Sequence, residues 1–522
     1  MSQMLKSSGA TAIATMLSRV LGLVRVMVYA QFMGTTWVAG AFVLAFQIPN
    51  LFRRLLGEGA LTAAFIPIFK QKEKQEGEDA MWHSANAVIS GLIIAASVIV
   101  LAGILGLSVA LGAIHFEKAS TVLMLQLLRI MFPYLLLVCF AAVCMGMLNA
   151  RGHFFIPALG AAILNVVMIA SVYFVAPLMG TKPEERIFGL AIGVLIAGVA
   201  QAAFQMPLLW RDGFRFRWVR PWSDATVRQV VKQMLPGTIG VAAFQINVML
   251  ASGFTYFGVD PAIVAAFDYA VRLMELPQGV FGVSLAMYLL PTLAGLAAEK
   301  KFPKFRTTLR DGMGYLLFIN LLATVLLVLL AEPMIRLLFE HQHGEFDSDS
   351  TRRTSIALMA LAPGLLAFSS VNILARAFYA LGDVRTPMKI SVFCLVLNLV
   401  LTLPLVWFLR EAGLGIANST TGLLNAGLLA FALRKKLARL DWQELKNMLV
   451  RLLACAACAA CAACATLYLW NQHHGPSDLW LQLGAVFVPM TSATLIYFLI
   501  AFLLKVPFAH DLIGLLRRRF RI

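Results

Sequence analysis

Charge is scarce in this chain of 522 residues: 13% are Asp, Glu, Lys or Arg, 60% are apolar, and the mean hydropathy is +0.82. That balance excludes a row of soluble domains, although the length alone would allow roughly three or four. The 26 acidic and 43 basic residues are confined to short stretches between apolar runs, each run about 20 residues or longer. No room is left for a large extramembrane catalytic or nucleic-acid-binding domain. Cysteine is also sparse. Of seven, Cys139, Cys144 and Cys394 lie in apolar runs and four cluster at 455–464, so none sits in a loop suited to a disulfide. No P-loop pattern occurs, and the eight histidines fall at span ends or in loops without a carboxylate cluster beside them. Nucleotide hydrolysis and metal-dependent phosphoryl chemistry are therefore unsupported. Arg19 and Arg25 interrupt the first apolar stretch, which argues against a cleaved signal peptide.

What is present is a polytopic all-α membrane protein. Apolar windows broken by charged or Pro/Gly-rich turns give fourteen spans, at 8–33, 36–68, 81–112, 121–149, 153–179, 187–210, 226–257, 262–297, 312–340, 353–381, 386–409, 412–433, 447–470 and 479–504. Alternate loops collect 27 Lys and Arg on one side, including Lys6, Lys70, Arg151, Arg217, Lys301, Arg385, Lys436 and Arg517. The other side holds six: Lys118, Lys182, Arg186, Arg352, Arg353 and Arg410. Basic loops stay cytoplasmic, so both termini are expected inside. The net charge of +17 then reflects topology and anionic lipid head groups more than nucleic acid.

An internal repeat appears at an offset of 230. Pro133–Pro157 lies over Pro363–Pro387, with matches at Leu135/Leu365, Leu136/Leu366, Ala150/Ala380 and Gly152/Gly382. A looser echo pairs Phe46–Leu51 with Met274–Gly279. The repeats are six spans apart, and an even separation preserves orientation. A parallel duplication follows, with the substrate path expected between the halves. The division expected is an N-terminal lobe at 1–222, a C-terminal lobe at 223–440, and two further helices with a basic tail at 441–522.

Ionisable side chains inside spans normally face water or a partner. Here they are Arg19 and Arg25 in span 1, Arg53, Arg54 and Glu58 in span 2, and Asp268, Arg272 and Glu275 in span 8. Each arginine could instead snorkel to the head groups or form an ordinary pair such as Arg54–Glu58 or Arg272–Glu275. Taken together the cluster is cationic, and a cationic cavity suits a phosphate or pyrophosphate bound through the guanidinium fork. Arg19 and Arg25 are six residues apart, so aiming both at one cavity calls for a bend, for which Gly22 is suited. Pro49 is expected to break span 2 one turn before Arg53.

Cys455, Cys458, Cys461 and Cys464 repeat with iron–sulfur rhythm, but alanines connect them within an apolar run. Such a segment is a helix, and its small side chains permit close packing against a neighbour. No metal and no cofactor are expected.

LSRVLGLVR at Leu17–Arg25, FQIPNLFRRLLGEGALTAAFIP at Phe46–Pro67, VVKQMLPG at Val230–Gly237, RLMELPQGVFGV at Arg272–Val283 and ALGDVRTPMKI at Ala380–Ile390 resemble the MurJ (MviN) family of lipid II flippases. That family lies in the multidrug/oligosaccharidyl-lipid/polysaccharide exporter superfamily. The resemblance implies two six-helix lobes, a C-terminal helix pair that forms a groove for the lipid tail, and a cavity that binds the head group through Arg19, Arg25, Arg53 and Arg272. Arg54, Glu58, Asp268 and Glu275 are then supporting or gating residues. It further implies lipid II and membrane lipids as partners, no nucleic acid, a monomer in transient contact with cell-wall synthesis machinery, and a bacterial inner-membrane transporter rather than an enzyme. The family commonly carries acids where this chain has Val26, Gly40 and Val271. Some members bind sodium through acids in spans 7 and 11, whose cores here contain none. Two other readings remain at this stage: an exporter of another lipid-linked saccharide or of a drug, and a membrane enzyme acting on polyprenyl phosphates.

Overall fold

The computed structural model describes residues 2–52, 60–279, 283–341, 344–437, 442–473 and 478–509, and among them every regular element is helical. Among the described residues nine helices are long and apolar enough to cross a membrane, or eleven when each of two bent pairs is taken as one span. The chain divides into two compact units, Met1–Ala265 and Ala266–Ile522.

The first unit contains α1 (Ser2–Met33), α2 (Trp37–Phe52), α3 (Ala60–Glu76), α4 (Glu78–Ala113), α5 (Ala119–Met131), α6 (Tyr134–Ala150), α7 (Phe155–Phe174), α8 (Pro183–Arg211) and α9 (Ala225–Gly258). Helix α1 packs on α7, α7 and α6 pack on α8, and α9 packs on α2, α3 and α4. These contacts place α9 in the first unit, whereas the sequence reading closes the N-terminal lobe at 222. An aromatic-rich core of Phe65, Phe69, Trp82, Met147, Leu209 and Phe214 ties α3, α4, α6 and the end of α8 together. Pro49 does not end α2: it is buried inside that helix, which continues to Phe52. A membrane helix tolerates proline where neighbouring groups take up the freed backbone carbonyl.

In the second unit are α10 (Pro261–Pro277, whose first turn belongs to the preceding unit), α11 (Val283–Ala298), α12 (Phe302–Leu329), α13 (Ala331–Phe339), α14 (Ser348–Leu361), α15 (Gly364–Ala380), α16 (Arg385–Leu409), α17 (Glu411–Leu437), α18 (Trp442–His473) and α19 (Leu479–Leu503). One core joins α11, α12, α15 and α17 through Leu293, Phe305, Phe378 and Leu433. A second seats α18 and α19 on α12, where the Tyr497 hydroxyl donates to the Phe318 carbonyl at 2.7 Å. Helix α18 is continuous through all four cysteines; Cys455 is buried and Cys458, Cys461 and Cys464 are exposed. Ligands spread in this way around a helix do not converge on one point.

The offset of 230 recurs in the backbone. Helices α5 and α6 meet at a 41° bend before Tyr134, and α14 and α15 at a 42° bend before Gly364. Pro133 and Pro363 occupy the same place in the two breaks, since neither can donate to the preceding turn. Helices α6 and α15 end at Ala150 and Ala380 in matching turns. Gly152 (φ 90°) and Gly382 (φ 73°) adopt the left-handed conformation, His153 N–H donates to Leu148 O, and Asp383 N–H donates to Phe378 O. This is the Schellman arrangement, for which a residue without Cβ is suited. In the second unit Ser419 on α17 stitches the break, donating to the Ala360 and Leu361 carbonyls and accepting from Gly364 N–H at 3.1 Å.

Candidate substrate-binding site

Of the eight ionisable residues singled out in the sequence, Arg53, Arg54 and Glu58 lie outside the described residues. The other five fall into two groups, one in each unit.

In the first unit α1 remains helical through Gly22. At this glycine the Asn165 side chain of α7 donates to Ser18 O at 3.1 Å, and a Cβ at position 22 would lie 3.6 Å from the Asn165 amide nitrogen. A carbonyl of α1 thereby gains a partner from a neighbouring helix. Arg19 is exposed. Arg25 is half-buried, with Nη1 at 3.6 Å from the Met168 sulfur and its guanidinium carbon 5.9 Å from the centre of the Tyr29 ring. Tyr29 packs edge-on against Phe42, and its buried hydroxyl has no hydrogen-bond partner among the described residues. This side of α1 therefore combines a cation, an aromatic face and an unused polar atom.

In the second unit Arg272 lies between two carboxylates of its own helix. Nη2 donates to Asp268 at 3.4 Å and Nη1 to Glu275 at 3.2 Å, while the buried Nε has no partner among the described residues. The spacings of four and three residues place all three side chains on one face of α10. The group carries one positive and two negative charges, so Arg272 is held in position by carboxylates rather than left as surplus charge. An anion arriving at this guanidinium would have to displace one carboxylate, and the unpartnered Nε offers it a further donor.

Val26 is buried and Val271 half-buried. Gly40 is fixed by space: a Cβ there would lie 2.0 Å from the Pro261 carbonyl oxygen. An acidic side chain at position 40 is incompatible with this packing.

Two ionic clusters were not singled out from the sequence. At the basic end of the first unit Arg151 donates to Glu73 at 2.6 Å and to Glu78 at 2.8 Å, while His153 lies 3.0 Å from Asp212. At the equivalent place in the second unit Asp383 accepts from Lys436 at 2.7 Å. His153 and Asp383 are 230 residues apart, and both partners lie at the end of the helix two elements further on. The duplicated turn thus makes the same contact with the carboxylate on the opposite partner. The hydrogen bond from Lys436, with those from the Thr386 backbone and hydroxyl, holds the Asp383 carboxyl well below the usual carboxylate range. Glu73 is shifted down in the same sense, first by its bond from Lys70. The visible signal was the glycine-anchored repeat, but the partners lie about 50 to 80 residues away and no local spacing reveals them.

The family described as "Lipid II flippase MurJ" matches residues 29–483. The chain belongs to the MurJ lipid II flippase family. The probable lipid II flippase MurJ of Vibrio cholerae is 33% identical over 444 residues, covering 82% of each chain. The lipid II flippase MurJ of Burkholderia cenocepacia is 31% identical, covering 81% of this chain and 82% of its own. A solved lipid II flippase MurJ in an inward closed conformation superimposes with a TM-score of 0.76 at 22% identity, over 96% of this chain and 99% of its own. An inward-facing MATE-family multidrug transporter gives 0.67 at 16% identity, over 84% and 98%. The architecture is thus the one shared by MurJ and MATE transporters, and membership of the MurJ family makes the chain a membrane transporter rather than an enzyme.

Proposed function

We propose that this protein moves lipid II, the undecaprenyl-pyrophosphate-linked peptidoglycan precursor, from the inner to the outer leaflet of the bacterial cytoplasmic membrane. The family match carries this reading, because it runs through both compact units instead of a single motif. The likeness to MATE transporters concerns fold alone. A cation-drug exporter would also want carboxylates free to meet its substrate, whereas Asp268 and Glu275 are engaged by Arg272.

In this reading Arg19, Arg25, Arg53 and Arg272 bind the pyrophosphate by charge-assisted hydrogen bonds. Asp268 and Glu275 orient Arg272 and give it up in turn as the anion binds and leaves, with Arg54 and Glu58 in supporting roles. Two six-span lobes and the pair α18–α19 make fourteen spans, with both termini in the cytoplasm, the polyprenyl tail beside the C-terminal pair, and the protein acting as a monomer in transient contact with cell-wall synthesis machinery. The experiment is replacement in a host depleted of its own flippase, with lipid II counted in each leaflet. Alanine at Arg19, Arg25, Arg53 or Arg272 is expected to trap lipid II inside, since each lost donor forfeits about 1.5–3 kcal/mol. Membrane-inserted alanine variants that restore growth and leaflet balance would refute the assignment.

A further inference from the structure

The segment that joins α8 to α9 is a strap fixed to α4. It leaves α8 through Gly213 (φ 98°), and Phe214 then inserts beside Trp82 with ring centroids 5.6 Å apart. The Asn86 side chain holds the next turn from both ends: its amide nitrogen donates to Arg215 O at 3.0 Å and its oxygen accepts from Arg217 N–H at 3.1 Å. Ser90, one helical turn further on, accepts from Val219 N–H at 3.2 Å. Pro221 closes the strap against Gly91, where a Cβ would lie 3.1 Å from the proline ring. Asn86 and Ser90 are buried polar residues of a long apolar helix, and both are used to hold this backbone.

The strap has a definite depth. Its contacts climb α4 from residue 82 to residue 91, about 13 Å at 1.5 Å per residue. Helix α4 has 36 residues, about 54 Å against a hydrocarbon core of about 30 Å. Its last charged or histidine side chain is His83, and everything beyond Asn86 is apolar or small. The strap therefore ends about one turn into the apolar part of α4, on the side rich in Lys and Arg. This is the level of the lipid head groups.

On its outer side the strap presents Phe216, Trp218 and Trp222, the last 70% exposed, with Trp210 nearby. Between the indoles stand Arg217 and Arg220, both exposed and making no side-chain hydrogen bond or ion pair among the described residues. Arg215 is engaged, donating to the Trp210 and Phe214 carbonyls at 2.8 Å. The nearby acids are engaged too: Asp212 with His153, and Asp224 in capping Thr226 N–H at 2.7 Å. Two unopposed guanidinium groups set among interfacial indoles, on a rigid backbone, match a phosphodiester joined to acyl chains. We propose that this strap binds an anionic glycerophospholipid of the cytoplasmic leaflet, with Arg217 and Arg220 on the head-group phosphate and Trp218 and Trp222 at the glycerol–acyl boundary. The site uses none of the residues assigned to lipid II, and it would stand if the flippase reading fell.

The test is native mass spectrometry of the full-length protein titrated in parallel with phosphatidylglycerol and phosphatidylcholine. Tight adducts are expected with phosphatidylglycerol alone. R217Q/R220Q should weaken them about thirtyfold, from about five- to sixfold for each cation at the surface, and R217K/R220K should restore most of the binding. Equal uptake of the two lipids by the wild-type protein, or unchanged phosphatidylglycerol binding in R217Q/R220Q, would overturn the proposal. Should the glutamine variant fold poorly, hydroxyl-radical footprinting of the wild-type protein decides. Trp218 and Trp222 should be protected in phosphatidylglycerol nanodiscs relative to phosphatidylcholine nanodiscs, whereas equal labelling, or protection only on adding cytosolic protein, refutes it.

Discussion

Gly40 meets Pro261 with no side chain between the two backbones: a Cβ on Gly40 would fall 2.0 Å from the Pro261 carbonyl oxygen. The contact joins α2 to the first residue of α10, and both residues belong to the first compact unit. Such an approach is open only to glycine, because a carbonyl cannot move aside as a flexible side chain can. Gly40→Ala is therefore expected to destabilise the protein by about 1–3 kcal/mol, as overpacking does. Thermal unfolding in detergent, followed by size-exclusion chromatography, checks this, and a variant that melts with the wild type would show that the contact is absent.

Ser419 offers a second test. Its hydroxyl serves three backbone groups at the bend between α14 and α15, and Ser419→Ala would leave the buried Gly364 N–H without that partner. A loss of about 1–3 kcal/mol is expected. A folded Ser419→Ala protein that melts with the wild type would contradict this role.

These two sites show how far the sequence was legible. The paired prolines, the matching Ala150/Ala380 ends and the glycines at 152 and 382 followed from spacing, because backbone conformation at a proline or a left-handed glycine is a local matter. Contacts to distant partners were not legible. Neither Asn165 reaching Ser18, nor Asn86 gripping the strap, nor Ser419 stitching a bend leaves a periodic trace, since each pairs residues separated by 55 to 147 positions. Hydropathy also set some edges wrongly. The window at 312–340 runs across the end of α12 at Leu329 into α13, and misses the polar first turns of α12 from Phe302. Hydropathy reports the solvent of a helix and not its length. At the candidate site, the spacing offered the Arg272–Glu275 pair only as the alternative to a substrate-binding Arg272, and it did not show the second carboxylate on the same guanidinium, Asp268.

Asp383 and Lys436 give a pH prediction. The carboxyl is depressed in the folded protein, so its contribution to stability is complete above the ordinary carboxylate range and is lost only as pH falls towards the lower, folded value. Because Lys436 is part-exposed, the pair itself is worth at most about 1 kcal/mol. The melting difference between wild type and Asp383→Asn should therefore be small and constant from pH 8 to pH 5. The difference should shrink only below about pH 4, and one that stays constant down to about pH 3 would mean that Asp383 titrates normally.

The energetics of transport give the fourth prediction. Arginines that move during the cycle return to their starting positions, so the net charge carried is that of the head group. With roughly two negative charges moving outwards down an inside-negative potential, the gain is about 5 kcal/mol per 100 mV. The positions where the resemblance implies acids hold Val26, Gly40 and Val271, and spans 7 and 11 have no acidic core residue. Membrane potential is thus expected to bias flipping more strongly than a sodium or proton gradient. Vesicles in which each gradient is imposed separately distinguish the cases, and dependence on sodium at zero potential with no response to potential would contradict the expectation.

The most direct measurement is flipping by the purified protein. Vesicles containing the protein and lipid II are assayed for lipid II accessible to an impermeant head-group reagent, with the wild type compared with Arg25→Ala and Arg272→Ala proteins of equal melting temperature. Transfer of lipid II between leaflets by the wild type, lost in both variants, is the predicted result. Absence of wild-type transfer under an inside-negative potential, or undiminished transfer in the alanine variants, would contradict lipid II flipping through these arginines.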